Sequence, residues 1–274
     1  MSTMTGRFDG AVVYITGIAR GQGRNHAVRF AQEGAAVIGM DIAGPIADHT
    51  TYPAATPEDL DETIRLVEEA GGSILARQGD TRDLEFQERL VADGVERFGR
   101  LDHVIANAGV LTWGRIWELT PEQFDDVMAV NVRGTWNTLR VTIPVMIEHG
   151  IRGSITVVSS SAGLKAMPFQ ASYSASKFAI RGMAQSAAKE LGEQGIRVNT
   201  IHPYAVNTPM AFEDTKASEV FAMERFMPNF VPILDKPFFS TCDEVTDMVM
   251  FLCSDSAKTI TASEFSMDQG SVKV

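Results

Sequence analysis

The apolar positions of the chain follow two alternating rhythms. Short continuous runs rich in β-branched residues predict buried strands at 11–16 (AVVYIT), 35–41 (AAVIGMD), 73–78, 101–106 (LDHVIA), 154–159 and 196–202 (IRVNTIH), with a short last strand at 264–267. Between them, apolar residues recur at a helical period over 22–33, 57–70, 84–98, 121–148, 173–193 and 244–253. Pro57 stands at an early helix position, where its missing N–H costs nothing, and Pro144 stands late in the 121–148 segment, where it predicts a kink. Strands that are apolar throughout and separated by helices belong to a parallel sheet covered on both faces. The expected fold is therefore α/β: a Rossmann-like, doubly wound three-layer α/β/α sandwich with a mainly parallel, seven-stranded sheet.

No repeat, low-complexity tract or linker divides the 274 residues, so 1–274 reads as one domain. Two stretches lack a period, 42–56 and 203–240. Long irregular segments of this kind are usually functional covers or mobile loops. Both leave the carboxyl ends of strands, where open parallel sheets bind ligands.

Composition narrows the classes. A net charge of −11 is a poor match for nucleic acid, whose phosphates demand a basic face. No apolar run approaches the ~18 residues of a membrane span. The first ten residues, MSTMTGRFDG, lack the apolar centre of a signal peptide, so a cytoplasmic location is expected. Cys242 and Cys253 are too few for a disulfide framework and read as small buried side chains. The five histidines, at 26, 49, 103, 149 and 202, show no ligand spacing, and no metal is expected.

The first strand runs into Thr16-Gly17-Ile18-Ala19-Arg20-Gly21-Gln22-Gly23. Gly17, Gly21 and Gly23 permit a tight turn and close approach of backbone to a pyrophosphate, and the helix after them points free N–H groups at that anion. Asp41 ends the second strand, eighteen residues past Gly23, where a carboxylate accepts from both ribose hydroxyls of an adenosine and repels a 2′-phosphate. Arg20 in the turn could attract such a phosphate; Asp41, nearer the 2′ position, is expected to decide. Asp80, after the third strand, suits either an adenine contact or the cap of the next helix.

Tyr173 and Lys177 stand four apart on one helical face. An ammonium beside a phenol favours phenolate, so the tyrosine pKa is expected to fall from about 10 toward working pH. Such a phenol can exchange a proton with an alcohol or carbonyl oxygen. Thirteen residues upstream, Ser160 ends a strand and can hydrogen-bond the same oxygen, with Ser159 and Ser161 turned to other faces. Asn131 lies mid-helix, where an amide is mildly unfavourable; it suits either solvent or a held water beside Lys177.

The glycine turn, Asn107-Ala108-Gly109, Asn131, Ser160, Tyr173 and Lys177, in this order and spacing, resemble the short-chain dehydrogenase/reductase family over nearly the whole chain. The resemblance implies a dinucleotide oxidoreductase. Tyr173 is then the acid/base and Ser160 the oxygen stabiliser; Lys177 also binds the nicotinamide ribose, and Asn131 orders a relay water. Gly17, Arg20, Gly21, Gln22, Gly23, Asp41 and Asp80 would hold the phosphate and adenosine side with Asn107, Ala108 and Gly109. Pro203, Val206 and Thr208 would line the nicotinamide side together with Tyr173 and Lys177.

A narrower resemblance, carried by residues 19–26, 52–60 and His202-Pro203 with 207–210, is to the carveol-dehydrogenase branch, also described as mycofactocin-dependent. It implies tightly held NAD covered by an insertion at about 42–56, a homotetramer, and an external redox carrier as a partner. The segment 260–268 departs from the family pattern by losing a glycine. Met210, Phe212, Phe221, Met223, Phe226, Met227 and Phe230 suggest a lid over an apolar substrate at about 203–240, with Trp113, Met167 and Phe169 as further walls. The expected reaction interconverts a secondary alcohol, cyclic or terpenoid, and its ketone. A 3-oxoacyl-thioester reductase and a non-catalytic dinucleotide-sensing protein are the alternatives.

Overall fold

A computed structural model describes residues 6–47, 50–234 and 239–273. In chain order the elements are β1 (Val12–Thr16), α1 (Gly21–Gln32), β2 (Ala36–Asp41), α2 (Pro57–Glu69), β3 (Ile74–Gln78), α3 (Leu84–Phe98), β4 (His103–Ala106), α4 (Pro121–Met128), α5 (Thr135–Glu148), β5 (Ser154–Val158), α6 (Ala171–Glu190), β6 (Arg197–Pro203), α7 (Pro209–Phe212), α8 (Thr215–Phe221), α9 (Cys242–Cys253) and β7 (Glu264–Met267). All seven strands pair in parallel in the order β3-β2-β1-β4-β5-β6-β7. The order reverses between β1 and β4, and that crevice is where such sheets accept ligands. The glycine turn leaves β1 there, and Asn107 leaves β4 beside it.

Alternation along each strand sorts the core into two layers. Val13, Ile15 and Val37 face α1, α2 and α9, where they meet Phe30, Val67 and Val249. Tyr14, Ile38 and Ile155 face the opposite layer, with Leu90 of α3, Met146 of α5 and Ile180 of α6. A third cluster of Tyr52, Leu111, Trp113, Met167, Val220 and Phe230 stands apart from both. Among the described residues, no helix is long and apolar enough to cross a membrane.

The helix expected at 121–148 is interrupted. Residues Ala129–Gly134 form a π-helical turn between α4 and α5. The wide turn carries Asn131 to the interior, where its amide binds Val110 and Ser176, and those bonds offset the poorer backbone geometry. Of the stretch 203–240, residues 235–238 lie outside the described residues, and the rest carries more regular structure than its lack of period suggests. Pro209 starts α7, and the Asp214 carboxylate caps α8 through the N–H groups of Lys216 and Ala217.

Candidate active site

Backbone geometry explains the glycine turn. Gly17 and Gly21 have φ of +74° and +56°, a region that favours glycine. A Cβ on Gly23 would stand 1.9 Å from the Gly17 carbonyl oxygen. Arg20, at the N-cap of α1, offers no side-chain acceptor, so the first-turn N–H groups keep their capacity for an anion. Asn107 braces the turn from the next strand: its Nδ2 donates to the carbonyls of Thr16 and Gly17 at 3.0 and 3.2 Å.

The Asp41 carboxylate accepts from the N–H groups of Ala19 and Ala43, both at 2.9 Å, which fixes it at the mouth of the turn. Arg20 does not compete for that position. Its guanidinium donates to the carbonyls of Pro53 and Ala54, so it ties the 42–56 segment to the glycine turn. Asp80 pairs with Arg82, and the cap of α3 is Asp83.

A cavity of about 310 Å³ runs along this crevice, lined by the glycine turn, Asp41, Asp80, Asn107, Ala108 and Gly109. Residues on both sides of 48 and 49 form its other wall, among them Ile42, Ile46 and Tyr52; residues 48 and 49 themselves, and thus His49, lie outside the described residues. Gln22 Oε1 is buried without a partner there. Glycines that leave backbone room, a fixed acid and an orphaned acceptor fit a dinucleotide. A second cavity of about 130 Å³ adjoins the first through Gln22, Thr208 and Met210. Pro203 and Val206 line this smaller cavity and not the larger one.

The reacting side chains meet at the smaller cavity. Ser160 and Tyr173 both line it. Ser160 Oγ accepts from Ala162 N at 3.1 Å, while its carbonyl accepts from Gly163 N and His202 Nδ1 at 2.8 and 2.9 Å. A carbonyl only accepts, so His202 carries its proton on Nδ1, and Nε2 accepts from the Thr200 hydroxyl at 2.8 Å. Ser159 points elsewhere and donates to the Lys177 carbonyl.

Lys177 Nζ donates to the Val158 carbonyl at 2.9 Å and stands 5.5 Å from the Tyr173 ring centroid. Burial pushes its pKa down to about 8. Burial also pushes the Tyr173 phenol up, opposed by the nearby Ser160 hydroxyl. This corrects the expectation of a lowered phenol. The ammonium meant to lower it is itself desolvated, and the phenol loses water along with it. Asn131 is fully buried, which removes the solvent-facing alternative. Both hydrogens of its amide are spent, on the Val110 carbonyl and on Ser176 Oγ, each at 2.9 Å, and its Oδ1 accepts from Val110 N. Only the second lone pair of Oδ1 is left for a water.

Several site residues escaped the sequence reading. Tyr52 lines the larger cavity, its hydroxyl accepts from the N–H of Leu111 in the wall of the smaller one at 3.3 Å, and burial raises its pKa to about 12. Thr51 Oγ1 donates to Asp214 Oδ1 at 2.7 Å, and the Thr51 carbonyl accepts from Thr215 N at 3.2 Å. Gln170 also lines the smaller cavity. No local signal marks these residues, because the partners lie far off in the chain.

The family model described as "Enoyl-(Acyl carrier protein) reductase" matches residues 17–271. An uncharacterized NAD-dependent oxidoreductase of Mycobacterium tuberculosis is 50% identical over 274 residues, covering 100% of both chains. The chain belongs to the short-chain dehydrogenase/reductase family. Solved members of the family superpose closely. The short chain dehydrogenase from Mycobacterium paratuberculosis bound to NAD has a TM-score of 0.94 at 44% identity, covering 98% of this chain and 100% of that one. Carveol dehydrogenase from Mycobacterium avium in complex with NAD has 0.93 at 37%, with the same coverage. Among the described residues, no group of side chains could hold a metal ion.

Proposed function

We propose that this NAD-dependent short-chain oxidoreductase interconverts an apolar cyclic secondary alcohol, terpenoid in kind, and its ketone. The carrying observation is that Ser160 and Tyr173 open together onto a small cavity walled by Trp113, Met167, Phe221 and Phe230. The likeness to carveol dehydrogenase supports the same substrate class.

Bound NAD supplies a hydride acceptor for the carbinol carbon. Tyr173 Oη takes the hydroxyl proton as the carbonyl forms, and Ser160 Oγ holds the oxygen. Lys177 Nζ, anchored on the Val158 carbonyl, keeps positive charge beside the phenol and binds the nicotinamide ribose. Asn131 ties the Val110 backbone to Ser176 on α6 and presents Oδ1 to the relay water. The Asp41 carboxylate would receive the adenosine ribose hydroxyls. Residues 42–56 cover the cofactor, and the 203–240 segment closes over the substrate. Because that cover would slow cofactor exchange, an external redox carrier, of the mycofactocin type, would be a partner of the enzyme. The chain works in the cytoplasm as a homotetramer, assembled through α4, α5 and α6, which expose Phe124, Trp136, Ile147 and Phe178.

The test is turnover of carveol with NAD, set against a 3-oxoacyl thioester with NADH. The expected result is ketone formation from carveol, with kcat/KM for NAD at least ~10-fold above that for NADP, since Asp41 would face a 2′-phosphate. Faster reduction of the thioester would overturn the substrate class. Protein that binds NAD but turns over neither would favour a sensing role.

A further inference from the structure

On the side of the smaller cavity away from the glycine turn, two hydrogen-bonding side chains have no partner among the described residues. Trp113 and Gln170 are only 9% and 7% exposed, and both line that cavity with Ser160 and Tyr173. The Trp113 indole N–H finds no acceptor. Gln170 occupies the N-cap position of α6 without capping it, and its side-chain amide makes no hydrogen bond among the described residues. A parallel bridge between Gly114 and Gln170, closed by Gly114 N donating to the Phe169 carbonyl at 2.9 Å, brings the two residues together. The indole is not free to turn away, because it packs against Phe221 and Phe230 at centroid distances of 5.9 and 6.1 Å.

A buried donor without an acceptor is costly, and native proteins keep such groups where something else supplies the partner. The apolar neighbours Leu111, Met167, Phe221 and Phe230 cannot supply it, and the Ser160 and Tyr173 hydroxyls serve the reacting oxygen. The other unpartnered acceptor of the cavity, Gln22 Oε1, belongs to the glycine turn at the boundary with the larger cavity. We propose that Trp113 and Gln170 form a second polar contact for the substrate, so that the preferred substrate is a cyclic alcohol carrying a second oxygen on the same apolar skeleton. A second hydroxyl suits the pair fully: its oxygen accepts from the indole N–H, and its proton goes to the Gln170 amide oxygen. A carbonyl or ether uses the two donors. The contact fixes the ring at a point remote from the carbinol carbon and so determines which of its oxygens reacts.

The proposal rests on the alcohol-oxidising reading, and the experiment separates the two. Initial rates with NAD are measured for cyclohexanol and for 1,2-, 1,3- and 1,4-cyclohexanediol, using the wild type, Trp113→Phe and Gln170→Leu. In the wild type, kcat/KM for the best diol should exceed that for cyclohexanol by about 10-fold, as one good hydrogen bond allows. In each variant that ratio should fall toward 1, with cyclohexanol as the internal reference. A wild type that favours cyclohexanol over every diol, or a ratio unchanged in both variants, overturns the second contact while leaving alcohol oxidation standing. No turnover of any of the four alcohols, by wild-type protein that binds NAD, overturns the underlying reading instead.

Discussion

At the residue scale, the phenol of Tyr173 is the group placed to exchange a proton, and Tyr173→Phe should keep cofactor binding while lowering kcat by about 10²–10⁴. Steady-state rates with a cyclic alcohol check this; near-normal kcat would remove Tyr173 from the reaction. Its raised pKa gives a direction for pH. Oxidation needs the phenolate, so kcat for the alcohol should climb from pH 7 to pH 10, and a flat profile would mean that another base acts. Lys177 gives a second direction, in stability. Its folded pKa of about 8 lies below its unfolded value of 10.5, so between these pH values the unfolded chain binds more protons. Stability therefore gains with rising pH through that window, and the penalty is full below it. The Tm of the wild type minus that of Lys177→Met should grow from pH 8 to pH 10. Spacing taken together with the family resemblance made Tyr173, Lys177 and Ser160 readable as one group, because a helical turn and a strand end fix where they point. The phenol's direction of shift was not legible, since it depends on how much water the folded chain removes from both groups.

At the element scale, the segments 42–56 and 203–240 are fastened to each other and to the sheet's carboxyl edge. Thr51 holds Asp214 and Thr215, Tyr52 holds Leu111, and Arg20 holds Pro53 and Ala54. Thr51→Val removes the hydroxyl with little change of shape, and NADH release should then quicken by about 3- to 10-fold, the worth of one hydrogen bond. Stopped-flow fluorescence reads that rate, and an unchanged rate would show that the two segments open independently. The strand and helix order was readable from periodicity, and most element limits moved by a residue or two. The fastening was not, because Thr51 and Asp214 lie 163 residues apart in sequence. Nor was the split of the 121–148 helix, whose apolar period continues through Ala129–Gly134 as if the turn were regular.

At the scale of the whole molecule, one group of helices serves two surfaces. The inner side of α5 buries Asn137, Leu139 and Met146, while Trp136 and Ile147 stay exposed, as do Phe124 on α4 and Phe178 on α6. Replacing Trp136 and Phe178 by serine together should convert the assembly into smaller species in light scattering, and a monomeric wild type would remove the assembly itself. The π-helical turn sets how these two surfaces are joined. It places one extra residue between two regular helical stretches without changing the face that either presents. A deletion inside a helix normally rotates everything beyond it by about 100°, which scrambles one side or the other. Deleting Arg133 should instead let the wide turn relax into an ordinary one, so that the chain folds and assembles while Asn131 loses its inward seat and turnover falls. The length of this chain thus contains one residue that the architecture can spare and the chemistry cannot.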